Sequence, residues 1–246
     1  MSTNTRIAVI DDGINPHELQ KGKIQGGINI GVIGDKIIHY GNGLTRKAES
    51  HGTICASIIE HTAPYAEIIS IRVCDQKTGC SLDVLVAAID WAMENDARII
   101  NISLARKDIT DPAPLITICN KAFMKNIIII SSRLNRGGMN KSYPADLAHV
   151  ISVKQKKTSI IDFKAELIKI KLNIAIDKKK IHKTIRVNRK YGNNSFMTAY
   201  ISGIIADMNH GIPPANDRLY QKLAARMKGQ SSEYFLKEGS QKFIKR

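Results

Sequence analysis

Near its start the chain reads Ile7-Ala8-Val9-Ile10-Asp11-Asp12-Gly13. Residues 7–10 of this stretch are apolar and mostly β-branched, which is typical of a strand covered on both faces of a parallel sheet. Two carboxylates and a glycine follow, so the strand ends in an acidic turn. Open parallel sheets place their sites at the carboxyl ends of strands. We therefore treat Asp11 as a candidate site residue, although an isolated Asp at this position more often serves a turn or a helix cap.

Strand and helix patterns alternate over the first 150 residues. Apolar β-branched runs predict further strands, and apolar residues at helical spacing predict helices between them. The predicted strands are Glu67–Val73, Arg98–Leu104, Ile127–Ser132 and Val150–Val153. The predicted helices span roughly 51–61, 81–95 and 114–125, and residues 22–43 suggest small strands and turns. This alternation predicts βαβ units and an α/β fold with a doubly wound, mainly parallel sheet flanked by helices.

The remainder of the chain is less regular. Further helices are expected over Ser195–Asn209 and 215–228, and residues 158–190 break the alternation with short basic strands. No linker separates two folded units. We expect a single domain over 1–228 and a polar, flexible tail over 229–246.

Positive charge is concentrated in one segment, which we call the basic lobe, residues 154–190. The formal net charge of the chain is +15, and the lobe holds 13 Lys and Arg against 3 Asp and Glu, or +10. A solvated surface and a site for acidic peptides or nucleic acid are all compatible with this charge. Phe163 and Tyr191 are the aromatic residues available for base stacking, which disfavours nucleic acid as a partner.

Composition and the N-terminal residues indicate a soluble protein. We find neither a signal peptide nor an apolar run long enough to span a bilayer. The four cysteines fit neither a zinc pattern nor a dense disulfide framework, so free thiols are expected. The sequence therefore predicts a cytoplasmic protein without membrane contact, metal ion or cofactor.

Two more segments supply groups that amide hydrolysis by a hydroxyl requires. An imidazole opens a predicted helix in His51-Gly52-Thr53-Ile54-Cys55-Ala56. A hydroxyl enters another in Gly192-Asn193-Asn194-Ser195-Phe196-Met197-Thr198-Ala199, with Gly203 eight residues after the serine. A hydroxyl nucleophile needs a base, a group that orients the base, and donors for the oxyanion. A lone His is more often structural and a lone Ser more often a helix cap, but together with Asp11 they supply a complete set.

The order Asp11, His51, Ser195 resembles that of the subtilisin-like serine peptidases, in which these residue types form a catalytic triad. The resemblance covers residues 6–153 and 190–210. It includes the segments Ala63–Val73, Ile99–Leu104, Asn126–Gly137, Tyr143-Pro144 and Val150–Val153. It implies a serine endopeptidase that acts on a peptide or protein.

The resemblance also implies a role for each site residue. Ser195 would attack the scissile carbonyl, His51 would carry the proton to the leaving amine, and Asp11 would hold the imidazole. The side chain of Asn135 and the backbone N–H of Ser195 would bind the oxyanion. Two segments would bind the substrate; their residues are Ser103, Leu104, Ala105, Arg106, Ser132, Arg133 and Leu134.

Several positions depart from the family pattern. Asn193-Asn194 stands where Gly-Thr usually precedes the serine, Phe196 replaces Met, and Ala199 replaces Pro. In the substrate segments Ala105-Arg106 replaces Gly-Gly, and Arg133-Leu134 replaces Ala-Gly. None of these changes removes a catalytic group.

The departures suggest a substrate preference. Arg106, Arg133 and Arg136 fall in the two segments that line the first specificity pocket in the family that this sequence resembles, and a guanidinium in such a pocket pairs well with a carboxylate. We therefore consider an acidic or strongly polar residue before the cut site, with Arg133 as its main contact, against the alternative that these side chains face solvent. The basic lobe would then hold the acidic remainder of a leader peptide. A compact intracellular member of the family would look like this chain, and the leader-removing peptidases of lantibiotic and related peptide biosynthesis are one group that fits.

Two other classes of function stay open. One is a catalytically inactive relative that binds peptides or regulates; retention of Asp11, His51, Asn135 and Ser195 disfavours it. The other is a nucleic-acid-binding module based on the basic lobe. Labelling by a fluorophosphonate probe separates an active enzyme from both.

Overall fold

The computed structural model describes residues 5–19, 24–47, 50–73, 80–107, 109–134, 141–155, 173–176 and 193–208. Within them lie eight strands: β1 (Arg6–Asp11), β2 (Ile24–Ile33), β3 (Lys36–Tyr40), β4 (Glu67–Arg72), β5 (Ile99–Ile102), β6 (Ile128–Ser132), β7 (Val150–Gln155) and β8 (Asn173–Ile176). Four α-helices accompany them: α1 (His51–Thr62), α2 (Leu82–Glu94), α3 (Ala113–Met124) and α4 (Asn193–Met208).

The strands form one sheet in the order β3-β2-β4-β1-β5-β6-β7-β8. All neighbours in it are parallel except β2 and β3, which form an antiparallel hairpin at one edge. The chain runs from β1 to one side of the sheet and then crosses to β5 on the other side. Functional sites in such sheets lie where the winding direction changes, beyond the carboxyl ends of the strands. Asp11 ends β1 at this point.

Alternation along the strands sends side chains to two apolar layers. One face packs against α1 and α4, with Ile7, Val9 and Ile130 among its buried residues. The other face packs against α2 and α3, with Ala8, Ile10 and Ile129 buried there. The sheet is covered on both faces, which explains why its central strands read as continuous apolar runs rather than alternating ones.

The helices α1 and α4, which carry His51 and Ser195, pack closely. Gly203 of α4 lies against Thr62 of α1, and a Cβ added at Gly203 would collide with the threonine side chain. The Tyr65 hydroxyl donates to Asp207 Oδ1 at 2.5 Å and ties the end of α4 to the turn after α1. These contacts fix the two helices relative to each other.

The doubly wound, mainly parallel α/β fold expected from the sequence is confirmed. The predicted strands and the first three helices lie within two residues of their observed bounds. Helix α4 begins at Asn193 rather than at the predicted Ser195, so the serine lies inside its first turn. The helix predicted over 215–228 and the tail 229–246 lie outside the described residues, as does most of the basic lobe, so the single domain over 1–228 stays a prediction.

No helix among the described residues is both long and apolar enough to cross a membrane. The cytoplasmic location stays a prediction.

Candidate active site

His51 and Asp11 form a hydrogen-bonded pair at the carboxyl edge of the sheet. The imidazole Nδ1 lies 2.9 Å from both carboxylate oxygens of Asp11. An ionised carboxylate only accepts hydrogen bonds, so Nδ1 carries the proton and Nε2 of the neutral ring keeps its lone pair. Asp11 is buried, whereas the imidazole is partly accessible, with 19% of its side-chain surface exposed. The pair therefore offers a base to the open side of the site.

Local contacts fix where α1 begins. Ser50 is the N-cap residue, and its hydroxyl accepts from Thr53 N at 3.1 Å while donating to the Gly13 carbonyl at 2.9 Å. The N–H of Asn15 donates to Thr53 Oγ1 at 2.8 Å. The turn after β1 is thus joined to the first turn of α1, which places the imidazole beside the end of β1.

Ser195 lies against the end of β5. Its hydroxyl donates to the Ser103 carbonyl at 3.1 Å, and Ser103 Oγ lies 3.4 Å from the Ser195 carbonyl oxygen. Asn101 Nδ2 donates to Ser103 Oγ at 2.9 Å and so fixes that residue. Ser195 is the third residue of α4, where backbone N–H groups lack an acceptor within the helix and favour negative charge.

Two contacts place His51 and the serine helix in one cluster. The imidazole stacks on the ring of Phe196, the residue after Ser195, with centroids 5.5 Å apart and 27° between the planes. One turn after His51, Cys55 Sγ lies 3.4 Å from Ser103 Oγ. Ser103 is therefore in contact both with the helix that carries the base and with the helix that carries Ser195.

The direction of the pKa shifts agrees with His51 acting as a base. Burial acts to lower the pKa of His51. The charge of Asp11 first, then the electrostatic interaction with Cys55 and the hydrogen bonds to both groups, outweigh burial, so the His51 pKa lies well above its ordinary value. Burial also raises the pKa of the Cys55 thiol. Cys55 is therefore a neutral thiol near neutral pH, and Asp11 is the anion that stabilises the imidazolium.

Asp11, His51 and Cys55 are also the one group of possible metal ligands among the described residues, with ligand atoms within 4.8 Å of one another. Nδ1 already donates to both carboxylate oxygens of Asp11, and Cys55 Sγ is in contact with Ser103 Oγ. We therefore interpret these residues as an imidazole–carboxylate pair rather than a metal centre.

The segment expected to carry the oxyanion asparagine is joined to the serine helix. Asn194 Nδ2 donates to the carbonyl oxygens of Arg133 at 2.8 Å and Leu134 at 3.3 Å. These two residues follow β6 and come directly before Asn135. Asn135 and Arg136 lie outside the described residues, so the oxyanion role of Asn135 stays a prediction.

Two of the three arginines in the expected substrate segments, Arg106 and Arg133, already have partners within the chain. Arg133 forms a two-point ion pair with Asp146, with N···O distances of 2.5 and 3.1 Å. The Arg106 guanidinium donates to the Cys80 carbonyl. The expectation that Arg133 pairs with a carboxylate of the substrate is weakened, because Asp146 of the chain already pairs with it.

The two expected substrate segments contact the same loop. Arg106 and Tyr143 exchange backbone hydrogen bonds of 2.8 and 2.9 Å, and Leu134 N donates to Ser142 Oγ at 2.9 Å. Both expected segments therefore adjoin the loop around residues 142–146. Whether Ser103, Leu104, Ala105, Arg106, Ser132, Arg133 and Leu134 bind substrate stays a prediction.

With this fold and this site, the chain belongs to the subtilase family, whose family model matches residues 2–224. It is 31% identical over 160 residues to the minor extracellular protease Epr of Bacillus subtilis, covering 61% of this chain and 23% of that protein. It is 28% identical over 162 residues to thermitase of Thermoactinomyces vulgaris, covering 61% of this chain and 54% of that protein. The chain thus spans less than two thirds of either relative.

Solved structures share the fold. A lanthipeptide protease superposes with a TM-score of 0.63 at 18% identity, over 88% of this chain and 78% of that one. An epidermin leader peptide processing serine protease from Staphylococcus aureus gives a TM-score of 0.64 at 19% identity, over 90% and 69%. At such identities the likeness establishes the fold alone.

Sequence reasoning missed three polar contacts of the site. They are the carboxylate of Asp12, which accepts from the first two N–H groups of α1, the amide of Asn194 and the carboxylate of Asp146. The sequence could have indicated Asp12 and Asn194, because each is a polar residue next to a candidate catalytic residue. It could not have indicated Asp146, because the pairing of Asp146 depends on the path of the chain between Arg133 and Ser142.

Proposed function

We propose that the chain is a serine endopeptidase in which Asp11, His51 and Ser195 act as a catalytic triad. The observation that carries the proposal is the His51–Asp11 hydrogen-bonded pair, which leaves Nε2 as a base in the cluster that contains the Ser195 hydroxyl. The order of the three residues and membership of the subtilase family support it.

The proposed reaction begins when His51 Nε2 takes the Ser195 proton and Ser195 Oγ attacks the scissile carbonyl carbon. Asp11 stabilises the imidazolium that forms. The Ser195 N–H, at the positive end of α4, and the Asn135 amide stabilise the oxyanion. His51 then protonates the leaving amine, and water hydrolyses the acyl-enzyme by the same route.

Hydrolysis of a fluorescence-quenched peptide library tests the proposal. The purified chain should cleave it, and Ser195→Ala should abolish cleavage while circular dichroism stays unchanged. Ser57→Ala is a matched control, because it removes a hydroxyl from the adjacent helix α1 that bonds the Thr53 carbonyl. A Ser195→Ala variant that keeps the turnover of the parent chain would exclude the triad.

The substrate class we propose is a modified precursor peptide with an acidic leader. Two structural neighbours are a lanthipeptide protease and an epidermin leader peptide processing serine protease. The basic lobe carries a formal charge of +10, which is opposite in sign to the charge of an acidic leader. Affinity for an acidic leader should fall as salt rises, because salt screens exposed charges beyond about 10 Å at 0.1 M. Fluorescence anisotropy of a labelled Glu-rich peptide on Ser195→Ala, compared with a Lys-rich peptide of equal length, measures this. Equal binding of both peptides would exclude it.

A further inference from the structure

The carboxylate of Asp12 caps the helix that carries the proposed base. Its Oδ2 accepts from His51 N at 3.2 Å, and its Oδ1 accepts from Gly52 N at 2.8 Å. These are the first two N–H groups of α1, which no helix can satisfy internally. The N-cap Ser50 accepts from Thr53 N instead. Both carboxylate oxygens of Asp12 are therefore used to hold the start of α1.

Consecutive residues of the chain thus hold His51 at two points. Asp11 bonds the imidazole, Asp12 bonds the backbone of the same histidine, and Asp12 N donates to Asp11 Oδ1 at 2.8 Å. The backbones approach closely here, because a Cβ added at Gly52 would meet the Gly13 carbonyl oxygen and Asp11 Cβ. The distance between ring and carboxylate is therefore set by a single rigid unit.

Asp12 also adds negative charge next to the imidazole. The pKa of Asp12 is raised above its ordinary value, because burial and the Asp11 charge outweigh the lowering effects of its bonds to the Gly52 and His51 N–H groups and of the charge of His51. This coupling is reciprocal: an Asp12 anion stabilises the His51 imidazolium. Among the described residues, Asp11 and Cys55 are the titratable groups that raise the pKa of the His51 ring. Beyond them Arg72 of β4 lies opposite Asp11 in the sheet.

We infer that Asp12 is a positioning residue for His51. The Asp12 carboxylate holds the His51 backbone so that the His51 ring lies at hydrogen-bonding distance from Asp11. The inference rests on the proposed function, since a base must be aligned only if it takes a proton from Ser195. Misplacement by about 1 Å is enough to cost about a hundredfold in rate.

The test is Asp12→Asn in the full chain. This change keeps the size of the side chain, removes its charge and replaces one acceptor by a donor. We expect kcat to fall about ten- to a hundredfold while KM changes less than about twofold. The acid limb of kcat/KM should move to lower pH, because loss of an anion makes the imidazolium less stable. A merely structural role would not move this limb.

Two further variants support the test. Asp12→Ser keeps one acceptor without the charge and replaces Asp12→Asn if that variant does not fold. We expect it to change kcat and the acid limb of kcat/KM in the same directions. Asp83→Asn is the matched control, because it removes an exposed first-turn carboxylate from α2. It should leave kcat and the acid limb unchanged.

A readout without catalysis separates this inference from the proposed function. In the Ser195→Ala background, the NMR titration of the His51 ring should show a lower pKa with Asp12→Asn than with Asp12 intact. Folded Asp12 variants with unchanged kcat and an unchanged His51 pKa would overturn the inference, even in an active peptidase. A parent chain without peptidase activity would refute the proposed function, and the titration would still report whether Asp12 acts on His51.

Discussion

Asn194 donates its side-chain amide to the carbonyl oxygens of both Arg133 and Leu134. The residue after Asn194 is the proposed nucleophile, and the residue after Leu134 is the proposed oxyanion donor Asn135. One side chain thus joins the two chain segments that must act on the same carbonyl group. This contact gives a physical role to one of the departures from the family pattern.

Replacing Asn194 by Ala should reduce kcat about tenfold or more with little change in KM, because a misplaced donor affects the transition state most. Steady-state kinetics on one quenched peptide measure the effect. Asn95→Ala is the control, since Asn95 Nδ2 makes a similar bond to the Trp91 carbonyl in α2. Equal kcat for Asn194→Ala and Asn95→Ala would show that the link has no catalytic role.

Replacing Asn135 by Ala should lower kcat by about a hundred- to a thousandfold, the usual effect of losing one oxyanion donor. Binding should change little, because the donor acts mainly on the transition state. The measurement is kcat and KM for the same peptide. A loss confined to KM would assign Asn135 to substrate binding instead.

The fold and the positions of Asp11 and His51 could be predicted from the sequence, because they depend on local patterns. Apolar runs and helical spacing predicted the sheet, and Asp11 and His51 stand where a strand ends and a helix begins. The Arg133–Asp146 pair was not accessible, because it joins a strand end to a loop 13 residues later. An arginine in a substrate segment suggests an acidic substrate until the structure shows an internal carboxylate beside it.

Activity should rise with pH through a pKa above the ordinary histidine value of about 6.5. The Asp11 carboxylate raises the pKa of His51 despite burial. Below that pKa the imidazole is protonated and Nε2 cannot take the Ser195 proton, so the enzyme is inactive. The pH profile of kcat/KM reports this ionisation in the free enzyme. An acid limb below pH 6 would contradict the role assigned to Asp11 as the stabilising anion.

Breaking the Arg133–Asp146 pair should destabilise the protein. Both side chains are largely buried, with exposed fractions of 24% and 13%. Arg133→Ala removes two charge-assisted hydrogen bonds, and we expect the free energy of unfolding to fall by about 1.5–3 kcal/mol. Urea denaturation measures it. The control is Lys121→Ala, which breaks the exposed pair with Asp90 and should have a smaller effect. An equal effect of the two variants would mean that Arg133 is available to substrate after all.

The most direct test of the central claim is active-site labelling with a fluorophosphonate, followed by peptide mapping of the adduct. A hydroxyl activated by His51 and Asp11 reacts with this probe, whereas an ordinary serine does not. We predict one adduct per chain, on Ser195, lost in Ser195→Ala and in His51→Ala. A folded chain that gains no adduct, or that gains it at another residue, would contradict the assignment of Asp11, His51 and Ser195 as a catalytic triad.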